Sequence, residues 1–125
     1  MFEQLVNLFF PIFGNFFAVF SRIKIHTETP NRLVLDVNTR LIVLDKILQI
    51  VSSSGQLLTK FDAIQSIDID HFTNGSRGEW WVISLQLVDR KLRIGQTVDG
   101  VQSSIVAAHL STITGKKVRS LPSWN

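Results

Sequence analysis

The chain has 125 residues, of which 45% are hydrophobic and 18% charged, and thirteen basic against ten acidic side chains give a formal net charge of +3. This length suits one domain with a substantial core and is too short for two. The absence of cysteine excludes disulfides, thiolate metal sites and cysteine nucleophiles, and so mild and dispersed a basic excess does not by itself indicate a nucleic-acid partner.

The chain begins with an apolar leader, defined here as residues 1–21. Its first twenty residues hold seven of the nine phenylalanines and a single charged residue, Glu3. As a helix, residues 2–20 would rise roughly 28 Å, close to the hydrocarbon thickness of a bilayer. Pro11 and Gly14 near the middle predict a kink in such a helix.

Three interpretations of the leader stay open: a membrane-spanning helix, an interfacial helix, or an amphipathic helix covered by protein. A secretory signal is disfavoured because no basic residue precedes the apolar run and no small-residue cleavage site ends it. Were the leader to span, Arg22 and Lys24 directly after it would place the following domain on the cytoplasmic side. The predicted membrane or partner contacts are Phe9, Phe10, Phe13, Phe16, Phe17 and Phe20.

Beyond Ser21 the hydrophobic period changes from helical to two. Apolar residues at 23 and 25, and again at 33, 35 and 37, alternate with residues that are polar except for Val34, and predict two half-buried strands joined near Pro30. Asn38-Thr39 predicts a tight turn. Further strands are predicted over residues 40–51, 56–61, 64–72, 79–88 and 91–97, with a loop at 73–78 and a two-residue hairpin connection at Asp89-Arg90.

A helix is predicted after the last strand. Asp99 is a suitable N-cap, and Gly115 stands where a left-handed residue ends a helix. The predicted apolar stripe comprises Val101, Ile105, Val106, His109, Leu110 and Ile113. The sequence therefore predicts a mainly β fold of six or seven antiparallel strands, with this helix covering the open end of a bent sheet.

Four phrases, RLVLDVNTRLIVL, LLTKFDAIQSIDI, EWWVISLQLVDRKLRIG and a helix ending in ITGKKV, resemble a bacterial pleckstrin-homology-like domain of the kind often attached to membrane helices. The resemblance covers roughly residues 32–119. It implies a partly open antiparallel barrel or sandwich, capped by a helix and used mostly for docking to proteins or membranes. The implied organisation is an apolar helix over 1–21, a pleckstrin-homology-like domain over 22–119 and a tail over 120–125.

Few residues suggest chemistry, and no catalytic, cofactor-binding or metal-ligating residue is predicted. His26, His71 and His109 lie too far apart in sequence for local metal-ligand spacing. His109 is expected to be a satisfied, semi-buried histidine. Asp68, Asp70 and His71 form an acidic strand end that is either a cation site or a solvated strand face. The solvated face is expected, because hard-cation sites usually show denser oxygen ligands in a loop.

The predicted surface-binding set combines basic and aromatic residues. Arg90, Lys91 and Arg93, with Arg77 nearby in sequence, form the best basic cluster, which is either ordinary solvated charge or a contact for lipid phosphates or an acidic partner. Trp80 and Trp81 are adjacent in a predicted strand, so one should face the core and the other the surface.

These features predict a non-catalytic, membrane-associated docking or accessory subunit of a membrane protein complex. Its partner would be a membrane, a membrane protein, or both, and not nucleic acid, and the N-terminal helix offers a route to oligomers. No cofactor is expected. The alternative from another class is a soluble small-ligand carrier or enzyme that uses the barrel mouth, with the leader folded onto it as a lid.

Overall fold

The computed structural model describes residues 22–122 and, within them, every side chain except that of Arg77. The interpretations of the leader and its six phenylalanine contacts therefore lie outside the described residues, as does the end of the tail. The described chain builds two β-sheets and one α-helix.

The first sheet contains five strands in chain order, each antiparallel to its neighbour. They are β1 (Ile23–Thr29), β2 (Arg32–Val37), β3 (Arg40–Asp45), β4 (Ile50–Ser53) and β5 (Gln56–Lys60). Two of the connections are two-residue turns in which both residues have positive φ, Asn38-Thr39 and Ser54-Gly55. This turn geometry matches the twist of the strands that it joins.

The second sheet has the strand order β8-β7-β6-β9. Its strands are β6 (Ile64–Thr73), β7 (Glu79–Leu87), β8 (Lys91–Thr97) and β9 (Val118–Ser120). β6, β7 and β8 are antiparallel, whereas β9 returns after the helix and pairs in parallel with β6. Short 3-10 turns, Phe61–Ala63 and Gly75–Arg77, precede and follow β6.

The core lies between the two sheets and follows the predicted period of two. In β2, Leu33, Leu35 and Val37 are buried while the residues between them are not. Other strands contribute Ile23, Ile42, Leu44, Val51, Ile64, Ile67, Ile69, Ile83, Leu85, Leu87 and Ile94, and the 3-10 turn adds Phe61. Burial of each such side chain stabilises the fold by about 1.5–3 kcal/mol.

The helix α1 (Gly100–Thr114) begins and ends where the sequence predicts. The Asp99 side chain accepts hydrogen bonds from the backbone N–H groups of Val101 and Gln102, and Gly115 adopts φ 74° at the other end. α1 packs against strands of both sheets. The mainly β architecture with one C-terminal helix is thus confirmed. Within residues 22–122 the sheets do not close into a barrel, and one isolated bridge joins Arg22, the residue before β1, to Gln96 of β8.

Two element predictions differ from the structure. Residues 40–51 are not one strand, because Asp45 accepts the Leu48 N–H at 3.0 Å and folds residues 46–49 into a turn. The short strand β9 was not predicted at all, so the described chain has nine strands. Both features depend on hydrogen bonds that the hydrophobic period does not encode.

The face of α1 that meets the core also differs from the predicted stripe. Its buried residues are Ser103, Val106, Ala107, Leu110 and Ile113. Val101 and Ile105, which the period places on the same stripe, are instead 69% and 42% exposed. The true core face is rotated away from them, so the first two turns of the helix present aliphatic side chains outward.

Candidate functional site

The predicted surface-binding residues lie toward opposite ends of β7. Residues 74–78 connect β6 to β7 where Thr73 pairs with Glu79, while Arg90 lies in the hairpin beyond the pair Gln86–Lys91. Nine extended residues span roughly 27 Å. The backbone at position 77 and the hairpin at position 90 therefore do not form one basic cluster.

The two tryptophans lie on opposite faces of the second sheet, as the alternation predicts. Trp81 packs against the core and stacks on His71, with ring centroids 4.6 Å apart. Trp80 stacks on Phe72 across the other face at 5.5 Å. Since Trp80 is half-buried, the outward tryptophan is partly covered rather than freely presented to a partner.

Three of the predicted cations are already engaged within the domain. Arg90 Nη2 donates to the backbone oxygen of Leu58 at 3.2 Å, and Arg93 Nη2 donates to Gln96 Oε1. Lys91 Nζ lies 3.2 Å from Asp68 Oδ2 and 3.4 Å from Asp70 Oδ2. Of the three, only Lys91 is paired with carboxylates and is therefore less available to a phosphate, whereas Arg90 and Arg93 bind neutral oxygens and keep their net charge.

Asp68 is the centre of an ion-pair network on the outer face of the second sheet. Its side chain is fully buried, and Arg119 binds it through Nη2 to Oδ2 at 2.8 Å and Nε to Oδ1 at 3.1 Å. Ser66 Oγ donates to Oδ1 at 2.7 Å. Burial alone would raise the pKa of Asp68, but the hydrogen bonds from Arg119, Ser66 and Lys91 outweigh it and hold that pKa below its ordinary value.

The prediction of a solvated strand face at Asp68 and Asp70 is therefore wrong. Asp68 is 0% and Asp70 8% exposed, because β8 and β9 flank this part of the second sheet and supply Lys91 and Arg119. Sequence periodicity correctly assigned both aspartates to the outward face of β6. It could not show that this face is covered by charges 21 to 51 residues away.

The histidines occupy three separate environments. His71 pairs with Glu79 at 2.7 Å, His26 contacts the Thr27 hydroxyl at 2.7 Å, and His109 Nδ1 contacts Glu28 Oε2. His109 is half-buried, as predicted for a satisfied histidine. Across residues 22–122, no group of three or more histidine, aspartate or glutamate side chains is arranged to hold a metal ion.

An open groove of about 290 Å³ lies beside the His109–Glu28 pair. It is bounded by the β1–β2 connection and the C-terminal half of α1, with Leu33 and Ile113 as its apolar lining and Lys46 at its side. Small-molecule sites usually occupy about 300–1,000 Å³. The groove is at the lower end of that range, and two of its polar groups, His109 and Glu28, already contact each other.

A different surface was missed by the sequence analysis. Val98, Val101 and Ile105, here called the aliphatic patch, are 42%, 69% and 42% exposed at the start of α1. The sequence assigned Val101 and Ile105 to the core because they fit a helical stripe. Ser103 and Ala107 lie on a second, adjacent stripe of α1, and their small size was the signal that this stripe faces the core, since small residues commonly mark the side of a helix that packs closely.

Arg22 and Lys24 are exposed at the beginning of β1, where the leader joins the domain. The bridge from Arg22 to Gln96 places this junction beside the last residues of β8, two residues before Val98. The aliphatic patch and the leader junction therefore share one end of the domain. No helix within the described residues is both long and apolar enough to cross a membrane.

No family model, no curated protein and no solved structure matches this chain.

Proposed function

We propose that the protein is a non-catalytic, membrane-associated docking or accessory subunit, held by its leader at a bilayer or in a membrane protein complex. One observation carries the proposal: seven phenylalanines and a single charge fall within the first twenty residues. Each phenylalanine left in water forgoes about 1.5–3 kcal/mol of burial. So much apolar surface requires a bilayer or a protein to cover it.

The pleckstrin-homology-like assignment belongs to the same proposal. Antiparallel strands in two sheets, followed by one helix that packs against both, agree with the expected element order. The extra parallel strand β9 and the five-stranded first sheet are additions to the predicted pattern. A domain of this kind acts by presenting surfaces to a partner.

The position of the domain follows from the charges beside the leader. Arg22 and Lys24 are both exposed and would flank the apolar segment on the cytoplasmic side of a membrane. The partner is then a cytoplasmic membrane surface, a membrane protein, or both. The leader helix would also supply the contact for any oligomer.

A soluble carrier or enzyme is the second candidate, and the groove beside His109 and Glu28 is the observation in its favour. Its volume of about 290 Å³ would hold only a small ligand. In that case the leader would cover the domain as a lid, and the full chain would remain monomeric without detergent.

Cell fractionation separates the two candidates. The full chain should be recovered with membranes, and deletion of residues 1–20 should release it, with circular dichroism confirming that the shortened protein keeps its β-sheet signal. Washing at alkaline pH distinguishes an inserted leader from a peripheral one. Recovery of the full chain as a detergent-free monomer in the soluble fraction would refute membrane attachment.

A further inference from the structure

We propose that the end of the domain where the leader joins is its membrane-facing surface, with the aliphatic patch entering the headgroup boundary of an anionic bilayer. This inference rests on the proposed membrane attachment and adds an orientation to it. The occupant of the surface is the lipid bilayer itself. The opposite end, with the Asp89-Arg90 hairpin, would then point away from the membrane.

Strand registers bring this end together. Ile23 pairs with Val37 and Val37 with Arg40, so the start of β1 lies beside the β2–β3 turn. Gly95 lies against the same residues, since a Cβ there would be 3.1 Å from Val37 Cγ1 and 3.2 Å from Ile23 Cβ. The end of β8 therefore adjoins the start of β1.

The start of α1 belongs to the same end. Thr97 pairs with Trp81, and a Cβ on Gly100 would lie 2.9 Å from Trp81 Cζ2. The first helical turn is thus fixed against the beginning of β7. Val98 and Val101 are carried on the backbone on either side of this contact.

The side chains of the aliphatic patch are exposed to solvent and are not part of the core. Its three side chains are 42%, 69% and 42% exposed, and Val101 and Ile105 are one helical turn apart. Aliphatic side chains on one face of a helix that is next to an apolar anchor are suited to shallow insertion at a bilayer interface. A protein partner could cover the same patch, but the leader ends beside it and brings the bilayer there.

Three cations surround the leader junction and complement anionic lipid. Arg22, Lys24 and Arg40 are exposed, and none of them forms an ion pair within residues 22–122. Asp36, which pairs with Lys24 across β1 and β2 and accepts the Thr39 N–H, and Asp99, which caps α1, are acidic groups at the same end. Each basic group near an anionic surface raises the partition coefficient roughly fivefold.

Because the chain has no cysteine, a single introduced thiol can report the orientation in the full-length protein. Val98→Cys and Val101→Cys would each carry an environment-sensitive nitrobenzoxadiazole label. Ile47→Cys and Val88→Cys are matched controls, since Ile47 and Val88 are 73% and 72% exposed at the opposite end. The vesicles contain phosphatidylcholine and phosphatidylserine in about a 7:3 ratio.

We expect labels at 98 and 101 to shift to the blue and brighten about threefold on vesicle addition, and to be quenched by spin-labelled lipid, as for a probe entering the interface. Labels at 47 and 88 should stay unchanged. If the full chain binds the vesicles while all four labels behave alike, the orientation is wrong and the membrane attachment stands. If the full chain does not bind the vesicles at all, the proposed attachment to a lipid bilayer fails, and this orientation fails with it.

A charge-reversal series tests the cationic contribution separately. Combined Arg22→Glu, Lys24→Glu and Arg40→Glu should weaken binding of the full chain to the anionic vesicles by at least tenfold and leave binding to pure phosphatidylcholine unchanged. Lys46→Glu, Lys60→Glu and Lys117→Glu form the control set at the opposite end. Equal losses from the two sets would contradict the proposed orientation.

Discussion

Arg119 donates two hydrogen bonds to the buried carboxylate of Asp68, from Nη2 at 2.8 Å and from Nε at 3.1 Å, and so links β9 to β6. Backbone bonds on either side complete the attachment, from Ile67 N–H to Lys117 O at 2.8 Å and from Leu121 N–H to Ile69 O at 2.9 Å. A three-residue edge strand has few ladder bonds of its own. The Asp68–Arg119 ion pair is therefore expected to contribute much of the stability of the β9–β6 pairing.

Replacement of Asp68 should destabilise the domain. Asp68→Asn keeps the size of the side chain but removes the carboxylate that Arg119 binds, while Lys91 keeps Asp70 at 3.4 Å. A hydrogen bond to a charged group contributes about 1.5–3 kcal/mol, and because Lys91 and Arg119 are partly exposed to solvent we expect a loss of about 1.5 kcal/mol. Urea unfolding followed by circular dichroism measures the loss. Asp62→Asn is the control, because Asp62 is exposed and should change stability by less than about 0.5 kcal/mol.

The same carboxylate should contribute to acid sensitivity. The pKa of Asp68 is lower in the folded protein than its ordinary value of 3.8, so its stabilising contribution is present above that value and is lost as the pH falls through the lowered pKa. The difference in free energy of unfolding between wild type and Asp68→Asn should therefore be smaller at about pH 3 than at about pH 6. An equal difference in free energy of unfolding at the two pH values would show that Asp68 does not change protonation on unfolding.

Some acid sensitivity should persist in Asp68→Asn. The Leu48 N–H, followed by the hydrogen bond from Arg32, lowers the pKa of Asp45 as well. Asp45 also stabilises the fold less as the pH falls, since its protonation weakens the hydrogen bonds from the Leu48 N–H and from Arg32. The double variant with Asp45→Asn should accordingly show a flatter pH profile than either single variant, as measured by thermal unfolding at matched ionic strength.

The parts of this fold that sequence predicts are those with local causes. Asp99 and Gly115 mark the ends of α1 through bonds within a few residues, and Asn38-Thr39 forms its turn from its own backbone preferences. The burial of Asp68 has a distant cause, because Arg119 is 51 residues away. Likewise, the periodic apolar positions of α1 fit two adjacent stripes, and only packing against both sheets decides that Val101 faces outward.

Gly100 should not tolerate a methyl group although it begins a helix. Alanine has a helix propensity about 1 kcal/mol better than glycine, but its Cβ would lie 2.9 Å from Trp81 Cζ2. Overpacking of this kind costs about 1–3 kcal/mol, and the Trp81 ring is already held by its stack on His71. We expect Gly100→Ala to lower the thermal midpoint and alter tryptophan fluorescence, whereas Ser104→Ala, exposed in the same helix, should do neither.

The β2–β3 turn offers a stabilising substitution. Thr39 adopts φ 71°, a left-handed conformation that is costly for a β-branched residue and free for glycine, which is favoured at the second position of such a turn. Its backbone N–H bond to Asp36 at 2.8 Å does not need the threonine side chain. Thr39→Gly should therefore raise the free energy of unfolding by about 0.5–1 kcal/mol.

Thr27→Gly provides the opposite control, because Thr27 lies in β1 without positive φ, and glycine inside a strand should lower the free energy of unfolding by a similar amount. A lower stability for Thr39→Gly in urea unfolding would mean that the side-chain hydroxyl, which donates to the Asn38 carbonyl at 2.5 Å, outweighs the backbone strain.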